Sequence, residues 1–257
     1  MKKFRKYGKP PYIVVVVHGG PGAPGEMQPV AEKLSKLYGV LEPLQTKDYM
    51  NGLIEELRKV IIKEGNPPVY LIGWSWGAWL SFIAASKYPE LVKELILVNS
   101  GPFEAKYAKS IMQTRLERLT NEERRRVKAI LGLMGEGNSG NKMLKDFGYL
   151  MGKADAFNPL PGVKDINVNS NIYKKVWGEA EELRKSGELL KYGEGIKCPV
   201  VVIHGDYDPH PFIGVKKPLT KVLKNVKFIL LKNCGHYPWL EKNAKIIFIR
   251  KLIEEIR

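Results

Sequence analysis

A serine flanked by small residues stands in the stretch Gly-Trp-Ser-Trp-Gly, residues 73–77, directly after a short apolar run. Glycines two positions before and two after Ser75 let the backbone turn sharply from a strand into a helix, which exposes the hydroxyl. A serine hydroxyl is a weak nucleophile by itself, so acyl transfer also needs a base, a carboxylate that orients the base, and donors for the developing oxyanion. Ser75 is therefore a candidate nucleophile where the chain supplies these groups, and an ordinary turn serine where it does not.

Those other groups also stand directly after apolar runs. His236, in Cys-Gly-His, follows the last run and is the candidate base, while Asp206 and Asp208 both follow the run at 200–204. The backbone N–H groups of Gly20, in the turn His-Gly-Gly-Pro-Gly, and of Trp76 are the expected oxyanion donors. We expect Trp76 and Gly19 to bind the substrate as well. Core packing is the alternative use of the tryptophans near Ser75.

The apolar runs and the segments between them predict the fold. Near-continuous apolar runs are typical of strands buried on both faces of a parallel sheet. They lie at 12–17, 69–73, 95–99, 200–204 and 226–231, with a weaker one at 38–43. Helical patterns separate them, at 26–37, 49–64, 77–88, 215–224 and 241–256. This alternation predicts an α/β fold with a doubly wound, mostly parallel sheet, in which ligands bind at the carboxyl ends of the strands.

The alternation of strands and helices stops between about residues 102 and 195. This stretch shows helical patterns at 103–118, 121–134, 139–153 and 170–186 and no convincing strand. We therefore expect a sheet domain in two parts, residues 1–101 and 196–257, with a helical cap insertion formed by residues 102–195 between them.

In the order Ser75, Asp208, His236 the chain resembles the α/β-hydrolase fold, and "HGGPG" with "GWSWG" is similar to its proline iminopeptidase and small carboxylesterase branch. The resemblance covers nearly the full chain, including "KYPELVKELILVNSGP" and "CGHYPWLE". It implies that the acid is Asp208, because the family places it three residues after the glycine of a His-Gly-x-x-Asp pattern. With only eleven residues before Tyr12, it also implies a reduced sheet of about six strands.

The resemblance implies a serine hydrolase that works through an acyl-enzyme and needs no cofactor. Proline iminopeptidases carry an Asp-Gln-Arg-Gly turn where this chain reads "LEPLQTKD", residues 41–48, so we expect a carboxylesterase acting on small or aromatic acyl esters. A proline iminopeptidase-like aminopeptidase is the alternative, with Glu104, Glu117, Asp146 and Asp155 available to hold a substrate ammonium. An alternative from another class is a non-enzymatic, hydrolase-like protein that binds a ligand.

The composition of the chain limits the classes of partner that we expect it to bind. The formal net charge of +15 is high, but the basic residues are scattered along the chain. The chain lacks a basic stripe interleaved with aromatic residues, which nucleic-acid binding needs, so we expect no nucleic-acid partner. No apolar stretch is long enough for a membrane span, and the four histidines and two cysteines show no metal-ligand spacing. We therefore expect a small-molecule ester or short amide as partner, no membrane, no metal and a cytoplasmic location; the oligomeric state is open.

Overall fold

A computed structural model describes residues 3–136, 140–161 and 168–256 of the chain. Its sheet has seven strands in the order β1-β3-β2-β4-β5-β6-β7, and every pair is parallel except β1 with β3. The strands are β1 (Phe4–Tyr7), β2 (Tyr12–Val17), β3 (Gly39–Pro43), β4 (Val69–Trp74), β5 (Val92–Val98), β6 (Val200–Gly205) and β7 (Val226–Leu231). The predicted doubly wound α/β class is confirmed.

The strand count is a correction to the expected sheet of about six. The additional strand, β1, pairs antiparallel with β3 at the edge of the sheet. Its four residues, Phe-Arg-Lys-Tyr, are too few and too charged to form an apolar run. Arg5 forms an ion pair with the buried Glu42 of β3 at 3.3 Å, and charged side chains on an edge strand also discourage pairing with further strands.

Ten α-helices complete the described chain, joined by short 3₁₀ turns. They are α1 (Gln28–Leu34), α2 (Met50–Glu64), α3 (Trp76–Lys87), α4 (Ile111–Glu117), α5 (Asn121–Gly135), α6 (Asn141–Asp155), α7 (Ser170–Ser186), α8 (Glu188–Lys191), α9 (Ile213–Val222) and α10 (Lys245–Glu255). The predicted helix at 103–118 is shorter than expected, because a 3₁₀ turn at Ala105–Tyr107 precedes α4. Residue 139, where the predicted helix 139–153 begins, lies outside the described residues.

Alternate side chains of each central strand face opposite layers of helices. Val15 and Val17 of β2 pack in a cluster with α2 and α3, whereas Val14 and Val16 pack in a second cluster with α1 and α10. Because both faces are covered, these strands consist of continuous apolar residues. The sheet is thus a rigid base whose strand ends can position side chains accurately.

The segment between β5 and β6 has a small apolar cluster of its own. Leu119 and Val127 pack there against residues of α6, including Leu150 and Met151. In the described part of this segment the regular elements are helical, and one isolated bridge joins Pro159 to Glu241. This separate cluster supports, as a proposal, the division into a sheet domain and an inserted helical unit.

Candidate active site

Ser75 stands between β4 and α3 in a backbone conformation that residues with a side chain rarely adopt, with φ 54° and ψ −119°. The turn closes only because its neighbours are small. A Cβ on Gly77 would overlap the backbone carbonyl oxygens of Val17 and His18, and a Cβ on Gly73 would overlap that of Gly77. Strain of this kind is found where the surrounding fold fixes a functional residue, and here it presents the hydroxyl at the start of α3.

The imidazole of His236 connects Ser75 to Asp208. Its Nε2 lies 3.0 Å from Ser75 Oγ, and its Nδ1 lies 2.7 Å from Asp208 Oδ2. Both His236 and Asp208 are buried, whereas Ser75 is partly exposed. The three residues predicted from the sequence are thus brought into one chain of hydrogen bonds, although 161 positions separate Ser75 from His236.

Asp208 is the aspartate of the β6 loop that contacts His236, and it also contacts a second histidine. Its Oδ1 accepts hydrogen bonds from the backbone N–H of His210 at 2.9 Å and from the His210 ring at 2.8 Å. Burial alone raises the pKa of the Asp208 carboxyl, but His236 and His210 outweigh it and hold that pKa well below its usual range. Burial lowers the pKa of His210 to about 4, so near pH 7 this ring is neutral and donates through Nδ1. Asp208 is therefore ionised, and its carboxylate is fixed in place by the hydrogen bonds that it accepts from His210 and His236.

The predicted oxyanion donors lie on either side of Ser75. Trp76 is the first residue of α3, where backbone N–H groups have no intrahelical acceptor and the helix dipole favours negative charge. Gly20 has a φ of +46°, which a glycine adopts without strain, and it lines the same cavity as Ser75. A substrate carbonyl oxygen can be stabilised between two such donors.

Two buried side chains hold the loops that carry the acid and the base. Asn99, directly after β5, accepts a hydrogen bond from the Gly205 N–H at 3.0 Å and donates to the Gly235 carbonyl at 2.7 Å. The indole N–H of Trp74 donates to the carbonyl of His236 at 2.8 Å. Asn99 and Trp74 thus fix the spacing between the ends of β4, β5, β6 and β7, and Trp74 serves as a support beneath the base.

Two acidic residues tie the inserted segment to the histidine loop: Asp155, expected from the sequence to be available to a substrate ammonium, and Glu241, which the sequence analysis did not single out. The Asp155 carbonyl accepts the His236 N–H at 2.9 Å, and the Asp155 carboxylate binds Arg115 through two hydrogen bonds of 2.7 and 2.6 Å. The buried carboxylate of Glu241 accepts the N–H groups of Gly235, Phe157 and Asn158 at 3.0, 2.7 and 2.7 Å. Their sequence context gave no signal of this role, because acids in helical or loop patterns are usually solvated.

A cavity of about 920 Å³ opens above Ser75. Its lining includes Ser75, His236, Gly20 and Trp76, and aromatic residues form one wall. In that wall Trp79 of α3 stacks on Trp177 of α7, with ring centroids 6.0 Å apart, and Trp177 stacks on Tyr173 at 6.3 Å. Tyr173 and Trp177 were also missed, although their spacing of four residues places them on one face of α7.

The expectation that Gly19 binds the substrate needs a correction. In the part of the chain that the structure describes, Gly19 is buried behind the cavity wall and does not line it. A Cβ at Gly19 would overlap the ring of Trp74 and would lie 3.0 Å from the Cβ of Ser75. Gly19 therefore packs closely against the nucleophile, and Gly20 and Pro21 are the residues of this turn that line the cavity.

Within the described ranges, one group of side chains is close enough together to share a metal ion. It consists of Asp208, His210 and His236, whose candidate ligand atoms lie within 4.8 Å of one another. Hydrogen bonds from both imidazole Nδ1 positions to the carboxylate account for this proximity.

The fold agrees with a comparison against known families. Residues 12–243 match the family described as the alpha/beta hydrolase fold. The chain belongs to this family. Its doubly wound, mostly parallel sheet is therefore that of an alpha/beta hydrolase.

Curated relatives of this alpha/beta hydrolase include enzymes named for different substrates. A proline iminopeptidase of Saccharolobus solfataricus is 25% identical over 95% of this chain and 85% of its own length. Human monoacylglycerol lipase ABHD6 is 26% identical over 77% of this chain, and the match spans 59% of the relative's length. A pimeloyl-[acyl-carrier protein] methyl ester esterase of Nitrosospira multiformis is 26% identical over 77% of this chain and 72% of its own length.

Solved structures of low sequence identity share the fold. VinJ superposes with a TM-score of 0.71 at 15% identity, covering 98% of this chain and 93% of its own. A lipase of Acinetobacter baumannii AYE superposes with a TM-score of 0.66 at 18% identity, covering 98% and 85% of the two chains. Among the described residues of this alpha/beta hydrolase, every helix is too short or too polar to cross a bilayer.

Proposed function

We propose that this protein is a serine hydrolase that cleaves small or aromatic acyl esters with Ser75, His236 and Asp208. The observation that carries the proposal is the chain of hydrogen bonds from Ser75 Oγ through His236 to Asp208, at 3.0 and 2.7 Å, at the floor of a large cavity. Membership of the hydrolase family and the ester-cleaving names of several relatives support it.

In the proposed mechanism His236 takes the proton of Ser75 as the hydroxyl oxygen attacks the ester carbonyl. The N–H groups of Gly20 and Trp76 stabilise the negative oxygen that forms. His236 then gives its proton to the leaving alcohol, which leaves an acyl-enzyme, and water attacks this ester with His236 again acting as base. Asp208 keeps Nδ1 of His236 protonated and stabilises the imidazolium. These steps use side chains and backbone groups of the chain alone and require no cofactor.

The preference for small or aromatic acyl groups is inferred from the walls of the cavity. Trp79, Trp177 and Tyr173 provide flat apolar surfaces, two of them contributed by the inserted segment. Flat rings favour flat or short acyl groups because both can contact the wall closely. We propose that residues 102–195 act as a cap that closes over this surface, on a sheet domain made of residues 1–101 and 196–257. We further propose that the enzyme acts on a small molecule in the cytoplasm.

An N-terminal-proline peptidase is the second candidate, because two curated relatives are named proline iminopeptidase. That activity needs free carboxylates for the substrate ammonium. Here Asp155 binds Arg115 at 2.6 Å, Asp146 lies 3.9 Å from Arg126, and Glu104 contacts two lysines. Because these three acids already have cationic partners, they are not free to hold a substrate ammonium. The fourth acid predicted for this role, Glu117, is exposed and lies outside the lining of the cavity above Ser75.

The test begins with the nucleophile. Wild-type protein should react covalently with a fluorophosphonate probe, and Ser75→Ala should remain folded but take up no label. Ser186→Ala, which removes an exposed serine at the end of α7, is the matched control and should label fully. Equal labelling of wild type and Ser75→Ala would place the nucleophile elsewhere, and folded wild-type protein that does not label would favour a ligand-binding protein.

The substrate class is tested with p-nitrophenyl esters of increasing acyl length, a p-nitrophenyl benzoate and proline p-nitroanilide. We expect kcat/KM to be highest for the short and aromatic esters. Faster turnover of long-chain esters would contradict the preference inferred from the cavity. Rapid cleavage of proline p-nitroanilide with slow ester hydrolysis would identify a peptidase.

A further inference from the structure

A glutamate outside the proposed triad has one carboxyl oxygen buried beside the proposed oxyanion donors. Glu26 lines the cavity above Ser75, and a Cβ placed on Gly20 would lie 3.6 Å from Glu26 Oε2. The neighbouring Gly19 lies against Ser75, because a Cβ there would be 3.0 Å from the Ser75 Cβ. Glu26 therefore lies beside Gly20 in the lining of the cavity that also contains Ser75.

The Oε2 atom of Glu26 is buried and finds no hydrogen-bond partner within residues 3–136, 140–161 and 168–256. The other acids of the cavity differ in this respect. Asp155 binds Arg115, Asp146 lies near Arg126, and Glu241 accepts three backbone N–H groups. Leaving a buried polar atom without a partner costs free energy, so a polar group that lines a cavity in this state is suited to bind a ligand.

The surroundings of Glu26 favour the neutral form of its carboxyl. Burial raises the pKa of Glu26 to about 8, so near pH 7 most of the carboxyl is protonated and can donate a hydrogen bond. Of the groups around it, Tyr237 has a pKa raised by burial and further by the charges of Glu26, Asp155 and Asp208. Arg115, whose charge acts in the opposite direction on the pKa of Tyr237, is already bound to Asp155.

On its other side the loop of Glu26 faces β1. Arg5 lies close to the loop, since a Cβ on Gly25 would be 3.2 Å from Arg5 Nη1. That guanidinium contacts Gln28 and Glu42, both at 3.3 Å, so it is committed to other acceptors. Nothing in the described surroundings therefore supplies Glu26 with the positive charge that an ionised carboxylate at this position needs.

We propose that Glu26 is a substrate-binding residue that donates a hydrogen bond from its neutral carboxyl to an oxygen of the substrate close to the scissile ester. The proposal rests on the ester hydrolase function argued above and narrows its substrate class. The preferred esters carry a hydroxyl, ether or keto oxygen within a few bonds of the reacting carbonyl, on either the acyl or the alcohol side. Plain hydrocarbon esters of equal size leave the Glu26 hydroxyl without an acceptor.

The experiment compares esters of nearly equal shape that differ by one oxygen. On the acyl side, p-nitrophenyl methoxyacetate is paired with p-nitrophenyl butyrate; on the alcohol side, 2-methoxyethyl butyrate is paired with butyl butyrate. Each kcat/KM is divided by the rate constant for hydroxide hydrolysis of the same ester, which removes intrinsic reactivity. In at least one pair we expect the normalised kcat/KM of the oxygen-bearing ester to be about fivefold to tenfold higher than that of its partner. The pair that shows this preference identifies whether Glu26 contacts the acyl side or the alcohol side of the ester.

Three variants separate hydrogen bonding from charge and from shape. Glu26→Gln keeps a neutral donor and should retain the preference within about twofold, whereas Glu26→Leu should abolish it. Glu32→Leu removes an exposed glutamate of α1 and should leave the ratio as in wild type. Fluorophosphonate labelling of Ser75 and a thermal unfolding curve for each variant verify that the site is intact.

A second measurement needs only the wild-type enzyme. The ratio within a pair should be constant below about pH 7 and fall as the pH rises past 8, because a carboxylate no longer donates. Any pH effect on the catalytic steps that both esters of a pair share cancels in the ratio. In Glu26→Gln the ratio should not change with pH.

Each contrary result has its own meaning. Equal ratios in wild type and Glu26→Leu, with active enzyme, would overturn the role of Glu26 and leave the hydrolase proposal intact. A ratio that does not fall as the pH rises past 8, or loss of the preference in Glu26→Gln, would show that the preference does not come from a neutral carboxyl donor and would also overturn the proposal. Absence of turnover on every ester with no labelling of Ser75 would reject the hydrolase function, and the Glu26 proposal with it.

Discussion

The backbone N–H of His236 donates a hydrogen bond to the backbone carbonyl of Asp155, at 2.9 Å. His236 belongs to the loop after β7, whereas Asp155 ends α6 in the inserted segment. Arg115 of α4 donates two hydrogen bonds to the Asp155 carboxylate. The side chain of Arg115 is only 15% exposed, and that of Asp155 is 3% exposed. The inserted helices therefore hold the proposed base in place as well as lining the cavity.

Removing Arg115 should destabilise the protein and loosen the site together. Arg115→Met leaves the Asp155 carboxylate buried without its partner, which should lower the free energy of unfolding by about 3–5 kcal/mol. Esterase activity should fall by about tenfold or more at a temperature where the variant is still folded, because the carbonyl that holds His236 moves. Urea unfolding and kcat on a short p-nitrophenyl ester measure both effects.

Two controls separate this explanation from a general effect of losing charge. Arg115→Met combined with Asp155→Leu removes both charges and should be more stable than Arg115→Met alone. Lys175→Met breaks an exposed pair with Asp48, 2.6 Å long, and should lower stability far less than Arg115→Met does. A double variant as unstable as the single one would show that the buried charge is not the cause.

The two aspartates of the β6 loop should differ strongly in their effect on catalysis. Asp208→Asn leaves the tautomer and orientation of His236 uncontrolled, and kcat should fall by about 10²–10⁴. Asp206 is exposed and accepts the backbone N–H of Cys234 at 3.3 Å, so Asp206→Asn should reduce kcat by less than about tenfold. Steady-state kinetics on one ester ranks the variants, and the opposite ranking with both proteins folded would show that the assignment of Asp208 is wrong.

Adding a methyl group at Gly77 should prevent the turn at Ser75 from closing. A Cβ there overlaps the carbonyl oxygens of Val17 and His18, which belong to a buried strand and the turn after it, so Gly77→Ala should fold poorly or lose most of its activity. Gly178 is the matched control, because it is exposed in α7 and no described atom lies within 4 Å of a Cβ at that position. Gly178→Ala should stabilise the helix by about 0.5–1 kcal/mol. Soluble yield and thermal unfolding check both, and a stable, active Gly77→Ala would contradict the close packing of the turn.

Stability should fall on acidification through a defined window because of His18. This ring is fully buried, and burial lowers its pKa from 6.5 to about 4. A histidine whose folded pKa is depressed contributes stability that is complete above pH 6.5 and is lost as the pH falls through 4. Wild type should therefore lose about 2–3 kcal/mol more than His18→Gln between pH 7 and pH 4, measured by urea unfolding. Curves that run parallel for the two proteins would show that His18 does not titrate in this window.

Local sequence patterns were sufficient for the main features of the fold and the reacting groups. Apolar runs buried on both faces appear as uninterrupted hydrophobic stretches, so six strands could be located before the structure was known. Their loops must meet at one edge because the strands are parallel, which already brings Ser75, Asp208 and His236 near one another. The edge strand Phe4–Tyr7 escaped detection because it takes its order from pairing with β3 and has almost no apolar pattern of its own.

The tertiary structure decided the features that depend on contacts between distant residues. Gly19 and Gly20 are identical in sequence, yet the Trp74 ring buries one while the other faces the cavity. Arg115, Asp155 and Glu241 are charged residues in helical or loop patterns, where a solvated position is the usual expectation. Only packing shows that they are buried and that they hold the histidine loop. Local sequence specifies which groups can react, whereas burial and partners, which set their charge and orientation, depend on residues tens to hundreds of positions away.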